Sequence, residues 1–347
     1  MAGTEHNRHE VSNLKDLTIF IKDIGFDTGV VVSVRHLSAL LRRNNIDFEV
    51  CWYKDDRDLL EQIIKCQSKC INLQVPSFSD EIMNKILELN KNIVLSIHST
   101  MCNLQVEEGV LGRIVNWSKM NNKRFRITCP SLCETEGFNT FSRVKFLYLP
   151  NTFSYELNKA QIERSIDVKC KAMNPIKISL FCAYRPFKNM ITQVVAVAKL
   201  AQKYPVELHL FEEKSENPIY KSILQIAEQT GLKLVLQQQL SNMQCFELTQ
   251  QMHLGLQISL SETFSYVAFE HMISGVPVVG SHSIPFSSLI AKYSDVNDME
   301  RCMEDIICSA DRYKEYALKS REIAEEILTR NNKDALKTVY RMINARE

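Results

Sequence analysis

The chain has 347 residues, of which 45% are apolar and 24% are charged, and its formal net charge is +1. This composition excludes a disordered or fibrous protein, and the net charge supplies no overall field that would draw the chain onto nucleic acid or an anionic membrane. The length is too great for one typical core and fits two domains of ordinary size.

Two further features of the composition indicate a compartment. The first fifteen residues are polar, and no later run approaches the roughly 20 apolar residues that a membrane-spanning helix needs. Eleven cysteines, an odd number, are scattered along the chain, which is typical of reduced thiols rather than of a disulfide framework. We therefore expect a cytoplasmic protein without a transmembrane segment.

Strands alternate with helices in the first half of the chain. The run 17–21 predicts a strand, and a glycine-containing turn and an amphipathic helix from Val30 to Leu41 follow it. Another helix is predicted through Ile82 and Leu89, and further strands are predicted at 48–52, 70–75, 92–97 and 144–149. This β-α-β spacing favours a parallel sheet covered by helices, because parallel strands need crossover connections.

The pattern restarts after the polar segment 168–175, which ends in a proline and predicts a linker between two domains. Beyond it we predict a helix at 190–201 and strands at 176–183, 206–211, 232–236, 254–260 and 276–279. The last stretch carries apolar residues on one helical face, and we expect it to pack back onto the first domain. The predicted organisation is α/β, with Rossmann-like domains at 1–170 and 171–320, facing each other across a cleft, and a terminal helix at 321–347.

The segment 259–279 carries the most specific chemical signal. It runs from an apolar strand to a Gly-Val-Pro turn and contains Glu262 and Glu270, eight positions apart. On one helix, eight positions correspond to about 12 Å along the axis and about 80° around it, so both carboxylates can reach one extended ligand. We expect Glu262 at the helix start, where free backbone N–H groups suit a diphosphate. The spacing alone is equally compatible with a capping role for Glu262 and a surface position for Glu270.

The whole segment resembles the E-x7-E signature of retaining GT-B glycosyltransferases, family 4 in particular. The turn residues Thr263, Phe264 and Ser265 follow the first glutamate, and a small-Gly-x-Pro-Val-Val segment follows the second. The family turn has glycines beside the phenylalanine, so the backbone approach to the phosphates differs here. The resemblance implies that Glu262 binds the sugar hydroxyls, that Glu270 binds the ribose hydroxyls and that the turn residues lie against the nucleotide sugar.

A second match lies where the first strand of the second domain turns into a helix. Arg185 and Lys188 stand at this turn, and both suit a diphosphate, arginine by its bidentate fork and lysine as a point charge. In the resembled family, basic residues here neutralise the leaving nucleoside diphosphate. The family spacing is more often R-x4-K than the R-x2-K of this chain, and a solvated basic turn is the alternative.

Three features of the first half resemble the same family more loosely. His98 ends the fourth predicted strand, where open α/β sheets bind ligands, and the resemblance implies that it faces the donor sugar. Pro150 and Asn151 resemble the Pro-Asn pair that precedes the crossover between the domains. Gly25 and Gly29 resemble the loop that closes over the phosphates, without the family's paired glycines. A purely structural role is the alternative for each.

Three other patterns have plainer explanations. Asp56 and Asp58 form the D-x-D pattern of metal-dependent glycosyltransferases, but they stand where a helix begins and suit its dipole. Two pairs of cysteines four positions apart lack a histidine that would complete a zinc site. The basic segment 121–126 interleaves cations with Phe125, as a nucleic-acid contact can, and such segments are common on surfaces. We therefore expect no metal and no cofactor beyond a nucleotide sugar.

These observations predict a glycosyltransferase that moves a hexosyl or pentosyl group from a nucleoside-diphosphate donor to a hydroxyl acceptor. The resemblance implies retention at the anomeric carbon, a donor held by the second domain and an acceptor held by the first. A glycan, a small molecule and modified DNA all remain open as acceptors. Two rival functions also remain open, namely a nucleotide-sugar epimerase on the same fold and a non-catalytic binding module.

Overall fold

The computed structural model describes residues 15–23, 28–107, 109–155, 157–213, 216–238 and 240–344, so Gly25 lies outside the described residues. Within these ranges the chain builds two six-stranded parallel sheets, each flanked by helices. The predicted α/β architecture with two Rossmann-like units is confirmed.

The first sheet has the strand order β2-β1-β3-β4-β5-β6. Its strands are β1 (Leu17–Lys22), β2 (Phe48–Tyr53), β3 (Cys70–Gln74), β4 (Asn92–Ser96), β5 (Phe125–Cys129) and β6 (Phe146–Tyr148). The helices between them are α1 (Gly29–Arg43), α2 (Asp56–Lys65), α3 (Asp80–Glu88), α4 (Met101–Leu104), α5 (Val110–Ser118) and α6 (Leu132–Asn139).

Both faces of the first sheet are buried, and successive residues of one strand serve opposite cores. Leu17 and Ile19 of β1 lie in the core beside α1, whereas Phe20 lies in the core beside α2 and α3. A strand covered on both faces has no polar side, which is why the central strands appear as continuous apolar runs in the sequence.

The second sheet has the strand order β12-β11-β10-β7-β8-β9. Its strands are β7 (Ile176–Ser179), β8 (Val206–Phe211), β9 (Lys233–Gln237), β10 (Leu254–Gln257), β11 (Val278–Gly280) and β12 (Leu289–Ile290). The remaining helices are α7 (Lys159–Lys171), α8 (Met190–Leu200), α9 (Pro218–Thr230), α10 (Asn242–Thr249), α11 (Tyr266–Ile273), α12 (Val296–Ile307) and α13 (Ala310–Ile343).

The segment predicted as a linker belongs in part to α7. This helix continues to Lys171, so only residues 172–175 join it to β7, and the linker prediction is wrong for 168–171. Ile162 and Ile166 form its buried face. Lys169 is also buried and donates from Nζ to the carbonyl oxygen of Gln250 at 3.2 Å. Only a narrow face of this helix is apolar and a lysine lies beside it, so its sequence resembles that of a polar linker.

The last helix, α13, begins at Ala310, well before the predicted start at residue 321. Its 34 residues span about 51 Å at the usual rise per residue. Tyr313 and Ala317 near its start belong to the core of the second sheet. Val339 and Met342 near its end belong to the core beside α1 in the first sheet. One helix therefore packs against both halves of the molecule.

The cysteines and the helices bear on the predicted compartment. All eleven cysteines are free thiols, and only Cys102, Cys133 and Cys308 are exposed. Among the helices of the described ranges, none is both long enough and apolar enough to cross a membrane.

Candidate functional site

A cavity of about 570 Å³ lies between the carboxyl ends of the strands of the two sheets. The loops after β1, β3 and β4 form one wall, and the loops after β7 and β10 form the other. Open α/β sheets bind ligands at this edge. Of the site residues that the sequence singled out, nine line the cavity, namely Gly29, His98, Asn151, Arg185, Lys188, Glu262, Thr263, Phe264 and Ser265.

Lys188 and Glu262 form an ion pair in the cavity wall, in which Nζ of Lys188 donates to Oε2 of Glu262. Both side chains are less than a quarter exposed, at 23% and 17%. Lys188 ends a short 3-10 helix, Pro186–Lys188, which Arg185 precedes. Arg185 is exposed and lines the same cavity, so its guanidinium is accessible to a ligand.

Hydrogen bonds attach this 3-10 turn to the loop after β10. Asn189 follows the turn with φ 53°, in the left-handed region that asparagine tolerates better than most residues. Its Nδ2 donates to the carbonyl oxygens of Ile258 at 3.3 Å and Tyr293 at 2.7 Å. The amide of Leu260 donates to the carbonyl oxygen of Phe187 at 2.8 Å. These bonds hold the cationic turn beside the loop that carries the carboxylate.

The position of Glu262 differs from the prediction. Helix α11 begins at Tyr266, and its N-cap is Ser265, whose Oγ accepts from the amide of Ala268 at 3.3 Å. Serine is a strong N-cap, and it starts the helix three residues after Glu262. The expectation that Glu262 stands at the helix start is therefore wrong, and it does not share a helix with Glu270.

The loop after β10 also contacts the first half of the molecule at the cavity. Oγ1 of Thr100 and Oγ of Ser261 are 2.5 Å apart, and both residues are buried. Oγ1 of Thr263 donates to the carbonyl oxygen of His98 at 3.1 Å. The two walls of the cavity are thus joined directly by side-chain hydrogen bonds.

Asn151 lines the cavity and connects three further elements there. Its Oδ1 accepts from Oγ of Ser33 on α1 at 2.7 Å and from the hydroxyl of Tyr266 on α11 at 3.1 Å. Its carbonyl oxygen accepts from Nδ2 of Asn331 on α13 at 2.9 Å. The Pro-Asn pair singled out in the sequence therefore lies where the first half, the second half and the last helix meet.

His98 lies in the cavity wall as a neutral side chain. Its Nε2 is 2.7 Å from Oε1 of Gln74, the last residue of β3. Desolvation lowers the pKa of His98 to about 4, so the imidazole carries no charge near pH 7. This side chain is suited to hydrogen bonding with a polar ligand and not to neutralising a phosphate.

Solved structures share the fold of this chain. No protein-family model and no curated protein sequence matches the chain. Sucrose-phosphate synthase from Thermosynechococcus elongatus superimposes with a TM-score of 0.73 at 14% identity, over 95% of this chain and 99% of that chain. HepE of Anabaena, in complex with UDP and glucose, gives 0.70 at 15% identity over 93% and 99%. A glycosyltransferase from Rickettsia africae gives 0.70 at 10% identity over 96% and 99%.

The fold is the GT-B fold. The part of the sequence prediction that concerned architecture is confirmed by these superpositions. Identities of 10 to 15% establish a shared fold alone, so membership of family 4 and the roles of the E-x7-E residues stay predictions.

Glu270 was also predicted as a site residue, and it does not line the cavity of this GT-B fold. It lies on α11 with 6% of its surface exposed. Burial raises the pKa of its carboxyl group to about 8, so the group is mostly protonated at pH 7. Its predicted contact with a ribose stays a prediction.

The acidic and basic patterns that had plainer explanations lie away from the cavity. Asp58 accepts from the nearby amide of Lys54 at 2.9 Å, and Asp56 accepts from the amide of Ser79, the N-cap of α3, at 3.0 Å, so both carboxylates have backbone partners. Across the described ranges, no group of three His, Cys, Asp or Glu side chains is placed to hold a metal ion. Phe125 is buried, so the basic segment offers no exposed ring for stacking on a base.

Gln74 and Tyr266 also line the cavity, and neither was predicted as a site residue from the sequence. Gln74 is buried at the end of β3, as His98 follows the end of β4. The rule that polar residues at strand ends contact ligands, applied to every strand of the GT-B sheets, would have found it. Tyr266 belongs to the segment after β10, but no pattern distinguished its ring from a core aromatic residue.

Proposed function

We propose that this chain is a glycosyltransferase that moves a sugar from a nucleoside-diphosphate donor to a hydroxyl acceptor with retention of anomeric configuration, as the resemblance to family 4 implies. One observation carries the proposal, namely that Arg185, Lys188 and Glu262 line one cavity between the two sheets of a GT-B fold. A nucleotide sugar brings a diphosphate, which needs cationic partners, and hydroxyl groups, which need acceptors.

The cationic groups would act on the leaving group. When the bond between the anomeric carbon and the diphosphate oxygen breaks, negative charge grows on the diphosphate. Arg185 and Lys188 would stabilise this charge more strongly than the charge of the bound donor, which lowers the barrier. The N-terminus of α1, at Gly29 in the same cavity, adds free backbone N–H groups. These groups lead us to expect transfer without a divalent metal.

The ion pair between Lys188 and Glu262 fits this role. Each charge keeps a partner within the half-buried wall, where an unpaired charge is costly. A bound donor would supply phosphate oxygens for Lys188 and sugar hydroxyls for Glu262, so neither charge loses its partner on binding. Glu270 would bind the ribose hydroxyls as the resemblance implies.

The division of labour between the two halves is also part of the proposal. Residues 171–320 would hold the donor and residues 1–170 the acceptor, with His98 facing the donor sugar. HepE of Anabaena was solved with UDP and glucose, and we therefore propose UDP-glucose as the first donor to test.

The experiment is a release assay with the full chain and a panel of nucleoside-diphosphate sugars, in excess EDTA and with magnesium or manganese restored. We expect release of the nucleoside diphosphate from one donor, undiminished by EDTA. Arg185→Ala and Lys188→Ala should each lower kcat about 100-fold, the usual effect of removing one group that stabilises a developing anion.

Lys85→Ala is the matched control, because Lys85 pairs with Glu81 on the exposed face of helix α3, away from the cavity, and should leave kcat unchanged. An altered nucleotide sugar without release would indicate an epimerase instead. No turnover of any donor, or equal kcat values for wild type and both cavity variants, would refute the proposal.

A further inference from the structure

A chain of hydrogen bonds leads from His98 into the core of the first sheet. Gln74 is 3% exposed, and its Oε1 is 2.7 Å from Nε2 of His98. The Gln74 amide nitrogen donates to Oδ1 of Asn72. Nδ2 of Asn72 is 2.9 Å from Oγ of Ser96 and 3.5 Å from the carbonyl oxygen of Val94.

The carbonyl oxygen of Val94 determines which group donates and which accepts in each of these hydrogen bonds. A backbone carbonyl oxygen only accepts, so the amide nitrogen of Asn72 must be the group that faces it. The amide oxygen of Asn72 then faces Gln74 and requires a donor, which is the Gln74 amide nitrogen. The Gln74 oxygen therefore points to His98, and Nε2 of the ring must carry the proton.

Burial prevents the amide groups of Asn72 and Gln74 from taking the opposite orientations. Asn72 and Ser96 are no more than 3% exposed, so water cannot replace a lost partner. Rotating the Gln74 amide by half a turn would set its oxygen against the oxygen of Asn72 and leave two buried polar atoms unpaired. Ser96 Oγ is 2.7 Å from Oγ1 of Thr128, but hydroxyl groups rotate and do not fix a direction.

We propose that Gln74 is a positioning residue that holds His98 in the Nε2-protonated tautomer, so that Nδ1 keeps its lone pair and accepts a hydrogen bond from a hydroxyl group of the bound sugar. The identity of the ligand rests on the proposed function, whereas the tautomer follows from the contacts alone. The subsite at Nδ1 selects a hydroxyl or N–H group and disfavours a carboxylate or phosphate, because their ionised oxygens also only accept.

The tautomer is measured by two-bond proton–nitrogen NMR on the full chain labelled with nitrogen-15 histidine. The His98 signals are assigned by their loss in His98→Gln. We expect the Nε2-protonated pattern for His98 in the wild type and a mixture of both tautomers in Gln74→Leu. A wild-type His98 protonated on Nδ1 would overturn the proposal, whether or not any variant folds.

Thr128→Val is the matched control. It also removes a buried polar group of the same series of hydrogen bonds, but it contacts only the rotatable hydroxyl group of Ser96 and should leave the His98 tautomer unchanged. If Thr128→Val and Gln74→Leu shifted the tautomer equally, the effect would be a general loosening of the core, and the proposal would fail.

A kinetic measurement separates this proposal from the proposed function. Gln74→Leu should lower kcat/KM for the donor by about threefold to tenfold, the factor of one neutral hydrogen bond. Loss of the tautomer with unchanged kcat/KM would refute the positioning role. The expected tautomer in a chain that turns over no donor would refute the proposed function and leave the tautomer assignment standing.

Discussion

At the scale of single residues, the protonation of the buried Glu270 carboxyl group is coupled to the stability of the fold. The group has a pKa of about 8 in the folded chain and ionises near 4.5 when unfolded. Between these values the folded state binds more protons than the unfolded state, so stability falls as pH rises from about 4.5 to about 8. Above pH 8 the loss is complete.

We predict that Glu270→Gln removes this loss. A difference of one in pKa corresponds to about 1.4 kcal/mol, so the free energy of unfolding of the variant, relative to wild type, should increase by on the order of 3 to 5 kcal/mol between pH 5 and pH 8. Urea unfolding at the two pH values measures the change. The same pH dependence in both proteins would show that Glu270 is ionised in the folded chain.

At the scale of elements, the packing of α7 on the turn after α11 allows the cost of a steric contact to be separated from the cost of backbone strain. Gly275 forms this turn with φ +69°, and a Cβ atom there would lie 2.7 Å from Cδ1 of Ile166 on α7. Gly231 ends α9 with the same φ, and a Cβ atom there would meet nothing within 4 Å. The two positions share the backbone strain and differ in the contact.

We predict that Gly231→Ala costs about 1 to 2 kcal/mol, the usual penalty for a side chain in the left-handed region. Gly275→Ala should cost more than Gly231→Ala, because Ile166 must also move. Thermal or urea unfolding of the two variants gives the difference. Equal losses of the free energy of unfolding would mean that Ile166 of α7 moves away from the new Cβ atom at no cost.

The sequence predicted most strands because their residues are apolar, and it misjudged their ends for the same reason. The predicted strand 176–183 ends at Ser179, although Leu180 and Phe181 are still buried. The predicted strand 254–260 ends at Gln257, although Ile258 is buried as well. Burial continues past the hydrogen-bonded ladder because loops at the cavity also pack, and the sequence alone does not separate the two.

In the candidate site, sequence patterns indicated several of the residues, but only the structure shows which residues are their partners. Arg185 and Glu262 were found because strand-to-helix turns and the E-x7-E spacing are local patterns. The ion pair of Glu262 with Lys188 joins residues 74 positions apart, and the bond of Gln74 to His98 joins the end of β3 to the loop after β4. Neither partner choice has a local signal, because both depend on how sheets bring distant strand ends together.

At the scale of the whole molecule, buried histidines set the response to acid. Burial lowers the pKa of His36, His98, His253 and His271 to about 4, against about 6.5 in the unfolded chain. Between these values the unfolded state binds more protons, so stability falls as pH falls below about 6.5. Four histidines outweigh the opposite trend of the single carboxyl group of Glu270.

We therefore predict that, between pH 4 and pH 8, stability is greatest near pH 7 and that the chain unfolds cooperatively near pH 5. Each histidine contributes on the order of 1 kcal/mol per pH unit below 6.5, and a typical domain has only about 5 to 15 kcal/mol in total. Circular dichroism and urea unfolding from pH 4 to pH 8 would trace this profile. A chain as stable at pH 4.5 as at pH 6.5 would show that these rings are charged when folded.

The long helix α13 also determines when the first half of the molecule can be finished during synthesis. Val339, Met342 and Ile343 complete the core that Leu17 and Ile19 begin. At about 5 to 20 residues per second, a ribosome needs roughly 10 to 40 s to reach α13's last turns after it has made the first sheet. Throughout that interval one apolar face of the newly made sheet is covered by α1 but lacks the part of its cover that α13 provides. The half that is translated first is thus the half that is completed last, and a nascent chain stalled within α13 would present that face to chaperones and proteases.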